Sequence, residues 1–484
     1  MIELKDDQVI VAQATPQGAG AIAMLRVSGN RAVEVVDSIA HIPGNKKLVD
    51  QDSHTIHYGW VVDKAGQHID QVLFLLMRAP KTFTGQNVVE ITCHNNQFLI
   101  EQIIDIIIQA GARLADQGEF TRRAVLHGKV DLVQAEAINE LIHAQTSQAL
   151  KQSLRQLEGS FSAWIANIEK QLIAVIAFCE ASFEFLDEEM SFESQIKERL
   201  AQAQTDIAQV LKTFDKRQYV TQGVRIALVG SVNAGKSSLF NALINRQRAI
   251  VTDIAGTTRD TIEAGMYSDG AFVTFVDTAG LRESDDVVEK IGIDKSFEEV
   301  TSSDLILMVF DATANYSQEE IDLYQSIAQK HAGKIIFVQN KIDAGSNVLP
   351  FLLKSNKNVA GLPGEASIEA LTKSEALCEA WDVVAVSVLQ HKNVDQLRVK
   401  IDEKINELME VGQSPCLLNK RQYSLLLLLE QELESIKNSI TSRIDYELLV
   451  ISVNDAIAKL SELTGKTVTE DALDAIFREF CVGK

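Results

Sequence analysis

Apolar positions recur along this chain in three rhythms. Up to about residue 125, short apolar runs alternate with turn residues. Gln8–Ala14 reads as a strand, broken by the loop Thr15-Pro16-Gln17-Gly18-Ala19-Gly20, and Ile22–Val27 reads as a second strand. Asn30–His41 is helical. Ser53–Val62 and His68–Met77 are strand-like around the turn Asp63–Gly66, and Val88–Cys93 is a further strand. Asn96–Gln109 carries an apolar face at helical spacing.

From Thr121 to about Asp215 the spacing becomes helical. Between Asp131 and Phe185 it is interrupted by one glycine, Gly159, and no proline. Residues 221–412 then alternate strands and helices. Thr261–Tyr267 and Ala271–Asp277 form a hairpin around Ser268-Asp269-Gly270, which makes one edge strand antiparallel. Leu305–Asp311, Lys334–Asn340 and Val383–Ser387 are short apolar strands between helical runs. Such a succession builds a doubly wound sheet that takes ligands at the carboxyl ends of its strands. Gly345–Cys378 is longer than an ordinary connection and is expected to be an elaborated or mobile insert. Gly412-Gln413-Ser414-Pro415 is a linker, and 417–480 return to helical periodicity.

The expected fold is therefore multidomain, α/β plus all-α. An N-terminal α/β domain (1–120) precedes the first part of a helical domain (121–220). A Ras-like P-loop domain (221–412) is inserted next, and the second part of the helical domain (413–484) closes the chain. A length of 484 residues requires several cores. Apolar content of 46% with 23% charged residues is that of a soluble globular protein. The apolar runs Val72–Met77, Leu172–Phe178 and Leu425–Leu429 are too short to cross a membrane, and MIELKDDQ does not resemble a secretory leader. A cytoplasmic protein without a membrane partner is expected. The net charge of −21 argues against a broad nucleic-acid grip, so any RNA contact must be local or shared with another subunit. The cysteines at 93, 179, 378, 416 and 481 are scattered and suggest neither zinc nor disulfides; Cys481 is unusual only in lying four residues from the end.

Candidate chemistry centres on Val224–Ser238. An apolar strand, Val224–Val229, runs into Gly230-x-x-x-x-Gly235-Lys236-Ser237, and a helical run starts at Ser238. Such a loop surrounds phosphate oxygens with backbone N–H groups, Lys236 adds a positive charge, and the Ser237 hydroxyl suits Mg²⁺. Asp277-Thr278-Ala279-Gly280 ends a strand, where a carboxylate can reach the metal through water and the Gly280 N–H the γ-phosphate. Thr257-Thr258-Arg259-Asp260 lies before the hairpin, with Thr258 placed to complete the Mg²⁺ shell. Asn340-Lys341-Ile342-Asp343 ends another strand. Asp343 can accept from two guanine donors that adenine lacks, so GTP is the expected nucleotide. Ser387-Val388 lies in the base-contact loop. The residue after D-x-x-G is Leu281, which cannot orient a water as a glutamine can. Glu283, Asp285, Asp286 and Glu289 are the nearby acids that could replace it, each also readable as a surface acid.

Several stretches closely resemble the MnmE (TrmE) family of tRNA-modification GTPases. They are Gly230–Ser238 with Asn233, AIVTDIAGTTRD (Ala249–Asp260), DTAGLRESDDVVEKIGI (Asp277–Ile293), IVAQATPQGAGAIAMLRVSG (Ile10–Gly29), TFTGQNVVEI (Thr82–Ile91), GEFTRRAVLHGKVDLVQAEAI (Gly118–Ile138) and the terminal FCVGK (Phe480–Lys484). The resemblance covers every domain. It implies a nucleotide site built from Asn233, Ala234, Gly235, Lys236, Ser237 and Ser238, from Thr252, Asp253, Ile254, Ala255, Gly256, Thr257 and Thr258, and from Asp277, Thr278, Ala279 and Gly280, with Asn340, Lys341, Asp343, Ser387 and Val388 at the base. It implies K⁺ held by Asn233 and by loop carbonyls, with Thr252, Ile254 and Thr257 as matching positions, and Mg²⁺ on Ser237 and Thr258. It makes Glu289 the acid that orients the attacking water.

The resemblance further implies that the N-terminal domain is tetrahydrofolate-binding and dimerising. Its folate contacts would be Arg26, Glu90, Lys129 and Lys484, with Arg26 and Lys129 suited to the folate glutamate and Glu90 to the pterin. The donor would be 5-formyl- or methylene-tetrahydrofolate. By family analogy Cys481 lies near the folate, as nucleophile or as packing. The function so implied is a homodimeric, K⁺-dependent GTPase. Its FAD-dependent partner (MnmG) would join it in modifying carbon 5 of a tRNA wobble uridine, with GTP hydrolysis driving the GTPase domains together and apart. Departures are Ile91–Asn96 (ITCHNN) in place of a glycine-rich GHGG, Ser231-Val232 in the phosphate loop, Val388 for the common alanine, and Gln117 for a proline. A ribosome-assembly GTPase would share the GTTRD and DTAG loops but not the N-terminal segment or CVGK. A scaffold using GTP only as an assembly switch is the other alternative.

Overall fold

The structure is a computed structural model that describes residues 8–184, 192–231, 233–244, 262–268, 271–277, 300–331, 333–348, 381–410, 414–440 and 445–483. The chain divides into two compact units. One comprises residues 1–142, 152–211 and 415–484, and the other 143–151 and 212–414.

In the first unit, β1 (Val9–Gln13), β2 (Ile22–Ser28), β3 (Ala40–His41), β4 (Thr55–Val62), β5 (His68–Met77), β6 (Val88–His94) and β7 (Ala112–Leu114) form one sheet in the order β3-β4-β5-β6-β2-β1-β7. Neighbours are antiparallel, except that β7 runs parallel to β1. The helices Ala32–Asp37 and Gln97–Gln109 cover one face. Ile100, Ile103 and Ile107, spaced three and four apart, turn into a core with Leu25, Phe74 and Ile91. Asn96 caps the second helix by accepting from Leu99 N at 3.2 Å. The opposite face leaves Ile22, Ile56, Tyr58 and Leu73 exposed.

One expectation for this region changes, and one strand goes unread. The helix in 30–41 covers only Ala32–Asp37, and Ala40–His41 instead pairs with Trp60 and Val61 as an edge strand. The three-residue strand β7 has too short a pattern to read in isolation, and its pairing with β1 creates it.

The helical part of this unit draws on both sides of the interruption. Ser160–Glu184 packs against Glu193–Leu211 and Tyr446–Thr464, while Lys420–Ser439 packs on Glu193–Leu211 and Tyr446–Thr464. Ser160–Ser182 is apolar and long enough to cross a membrane by composition alone, but part of its surface is buried among these neighbours. Arg421 forks onto Glu136 at 2.7 and 2.8 Å, and Gln422 donates to the same carboxylate at 2.7 Å, which ties Lys420–Ser439 to the helix Leu132–His143. The helix Glu119–Leu126 belongs beside the sheet: Phe120 lies under Ile10 and Ala12. Glu470–Phe477 packs on this helix, and Phe477 and Phe480 join the Leu132 cluster.

The second unit holds a sheet of β8 (Val224–Gly230), β9 (Ile262–Ser268), β10 (Ala271–Asp277), β11 (Leu305–Asp311), β12 (Ile335–Asn340) and β13 (Asp382–Ala385). The order is β13-β12-β11-β8-β10-β9, parallel except for the β9–β10 hairpin at one edge. β11 and β12 are buried along their whole length, as parallel strands covered on both faces must be. Of the expected insert, 349–378 lies outside the described residues.

Candidate active site

β8, at the centre of the second unit, ends at Gly230, and the helix Lys236–Ile244 starts within the expected motif, two residues before the predicted start. Gly230 is required because a Cβ there would lie 2.0 Å from Val309 O on β11. Asn233 (φ 62°) and Gly235 (φ 90°) take left-handed conformations that fold the loop back over the helix start. The Lys236 Nζ, on a largely buried side chain, donates to Gly230 O and Ser231 O at 2.9 Å each. The first N–H groups of a helix have no partner one turn earlier, so the starts at Lys236, Ser237 and Ser238 suit an anion.

Two other strand ends reach this loop. The Asn340 Nδ2 donates to Ala234 O at 2.9 Å, and Asn340 Oδ1 accepts from Lys341 N at 2.8 Å and from Val388 N at 3.4 Å. A Cβ on Gly235 would lie 2.2 Å from Asn340 Nδ2. Ser387 is fully buried, and its Oγ accepts from Gln390 N at 3.1 Å. Asp343, in the N-K-x-D turn after β12, is exposed. One amide, Asn340, thus joins the phosphate loop, the N-K-x-D turn and the loop at 387–388. Asp277 ends β10 beside β8. Thr252, Asp253, Ile254, Ala255, Gly256, Thr257, Thr258, Thr278, Ala279, Gly280 and Glu289 lie outside the described residues.

The first unit gathers a second set. Arg26 on β2 and Glu90 on β6 are direct cross-strand partners, and Arg26 Nε donates to Glu90 Oε1 at 2.8 Å. Their side chains are 22% and 15% exposed. The guanidinium lies 5.9 Å from the Phe83 ring centre and 5.8 Å from that of Phe120, two aromatics whose place beside Arg26 is not legible from Thr82–Ile91 and Gly118–Ile138 alone. Arg26 also reaches Gly483 O at 3.4 Å. The C-terminal tail is therefore seated on the sheet: Cys481 O accepts from Gly118 N at 3.4 Å, and Gly483 (φ 91°) lies where a Cβ would be 2.2 Å from Gln13 O. Cys481 is exposed. Lys129 donates to Pro80 O and lies against Gly85, in the same loop as Phe83. The structure so brings Arg26, Glu90, the 80–86 loop, Lys129 and the tail together. Lys484 adjoins Gly483 but lies outside the described residues.

Behind this set, Glu119 binds Arg113 at 2.6 and 2.7 Å and the fully buried Arg123 at 2.8 Å, and Arg123 donates to Gln86 Oε1 at 2.8 Å. Burial pushes the Glu119 carboxyl upward. The Arg113 bonds, the Asp116 N–H and Arg123 outweigh it, so Glu119 titrates below its ordinary range.

Comparisons with known proteins cover both the N-terminal region and the rest of the chain. The model of the MnmE helical domain matches residues 132–481, and that of the GTP-binding protein TrmE N-terminus matches 9–129. Proteins described as tRNA modification GTPase MnmE from Bacillus pumilus and Fervidobacterium nodosum are 35% and 36% identical. Both alignments cover 98% of this chain, and they span 99% and 97% of those proteins. A structure of Aquifex aeolicus Era is 25% identical over 46% of this chain and 68% of that one, with a TM-score of 0.27. With two domain models matched in order and relatives aligned from end to end, the chain belongs to the MnmE family of tRNA modification GTPases.

Proposed function

We propose that this GTP hydrolase is K⁺-dependent and works with an FAD-dependent partner (MnmG) on carbon 5 of a tRNA wobble uridine, taking its carbon from a 5-formyl- or methylene-tetrahydrofolate. The observation that carries the nucleotide half is the Asn340 amide bridging Ala234, Lys341 and Val388, because it unites phosphate and guanine recognition. Lys236 exchanges its loop carbonyls for phosphate oxygens, and the helix N-terminus adds N–H donors. Ser237 and Thr258 would hold Mg²⁺, and Asn233 with Thr252, Ile254 and Thr257 would hold K⁺; bound there, both cations neutralise charge on the transferred phosphoryl group. Asn233 has a left-handed backbone within the phosphate loop, and its amide oxygen is a neutral ligand of the kind a monovalent cation takes. Glu289 orients the attacking water, filling the place that Leu281 cannot.

Folate binding by Arg26, Glu90, Lys129 and Lys484 is supported by the gathering of the first three with the tail. The Arg26–Glu90 pair refines the assignment: the two charges already neutralise each other, so a ligand meets a paired acid and base flanked by Phe83 and Phe120. A homodimer through the N-terminal unit is supported by the uncovered Ile22, Ile56, Tyr58 and Leu73 on one sheet face. In this reading the redox chemistry falls to the partner's flavin. The expected location is cytoplasmic. The deciding experiment is nucleoside mass spectrometry of tRNA from cells lacking this chain: loss of the modified wobble uridine is expected, and an unchanged nucleoside overturns the proposal.

A further inference from the structure

One acid outside every motif touches the guanine-recognition loop. Asp311 ends β11 and is 7% exposed. Its Oδ2 lies 2.6 Å from Lys341 Nζ, and its Oδ1 accepts from Thr313 N at 2.8 Å and from Thr313 Oγ1 at 2.7 Å. The Asp311 N–H donates to the Tyr316 hydroxyl at 2.6 Å. The Tyr316 ring stands edge-on to Tyr324, with centroids 5.9 Å apart. Ala312 N donates to Asn340 O at 2.9 Å, so the segment is bonded to the motif on both sides. Lys341 itself has a left-handed backbone (φ 62°).

A lysine stem has four rotatable bonds, and ordering it during ligand binding costs affinity. We propose that Asp311 is a positioning residue for guanine nucleotides: by holding Lys341 Nζ it presets the lysine stem beside the base loop before the nucleotide arrives. Thr313 and Tyr316 fix the acid in turn. Burial acts to raise the Asp311 carboxyl, but the Lys341 and Thr313 bonds prevail and keep it ionised.

The test uses full-length protein with GDP and GTP. For Asp311→Asn, the GDP Kd and the GTP KM are expected to rise about tenfold, while kcat at saturating GTP stays within about twofold. Lys341→Ala is expected to lose affinity similarly, and the double variant is expected to lose no more than Lys341→Ala alone. Asp311→Glu is expected to recover part of the affinity. Thr313→Val, which leaves the ion pair in place, is expected to raise the GDP Kd about threefold, and it carries the test if Asp311→Asn does not fold. Unchanged GDP affinity in Asp311→Asn overturns the proposal. So do losses that multiply in the double variant, or a fall in kcat that tracks the thermal midpoint while KM holds.

Discussion

Arg26 and Glu90 face each other across the β2–β6 ladder, 2.8 Å apart from Nε to Oε1, and the chain's own tail closes over them at Gly483. Arg26→Ala strands a carboxylate that is 15% exposed, so it is expected to destabilise the N-terminal unit by about 2 kcal/mol. The double change Arg26→Ala with Glu90→Ala is expected to recover part of that loss. Both are expected to abolish 5-formyl-tetrahydrofolate binding in a titration and to leave GTP hydrolysis unchanged. Retained folate binding in the double variant would remove Arg26 and Glu90 from the site.

Gly235 has no room for a side chain. With φ at 90° and Asn340 Nδ2 only 2.2 Å from where a Cβ would stand, Gly235→Ala must break the bridge from Asn340 to Ala234. Loss of GDP binding by at least about 100-fold is expected, which corresponds to about 2.7 kcal/mol. Fluorescent-nucleotide titration measures it.

Glu289→Ala is expected to bind GTP normally and to lose turnover by about 100-fold or more, since a water-orienting acid acts on the chemical step. Single-turnover hydrolysis with pre-bound GTP checks this, and unimpaired hydrolysis rejects the assignment.

The Glu119 network sets an acid limit on stability. Its folded carboxyl titrates below the unfolded value of about 4.3, so its contribution is complete above that value and is lost as pH falls through the folded one. Glu119→Gln leaves Arg123 buried without its partner charge and is expected to cost about 3 kcal/mol at pH 7. The gap in thermal midpoint between the wild type and this variant is expected to narrow as pH falls from 5 to 3. A gap that stays constant would show that the carboxylate charge is not what stabilises the network.

Burial pushes the Cys93 and Cys179 thiols up to about 11, whereas Cys481 is exposed. Because the thiolate is the reactive form, a maleimide at pH 7.5 is expected to label Cys481 in the native protein and to reach Cys93 and Cys179 only after unfolding. Peptide mapping by mass spectrometry reads all three.

Much of the fold and the nucleotide site follows from local pattern. The parallel strands around β8 are continuous apolar runs because both faces are covered. Gly230 and Gly235 stand at the phosphate-loop spacing, and Asn340-Lys341-x-Asp343 states its chemistry by residue type. Those features depend on a few consecutive residues, so the sequence alone determined them. Tertiary structure decided what joins residues far apart. It made β7 a strand by pairing it with β1, turned Arg26 and Glu90 into partners instead of two separate ligand contacts, and seated Gly483 against Gln13. It also recruited Asp311, which in the sequence is only the last residue of an apolar run, to the lysine at 341. Periodicity and motif spacing report what a residue's near neighbours require. Which charge meets which depends on strand order and register, and those are settled by burying the whole chain at once.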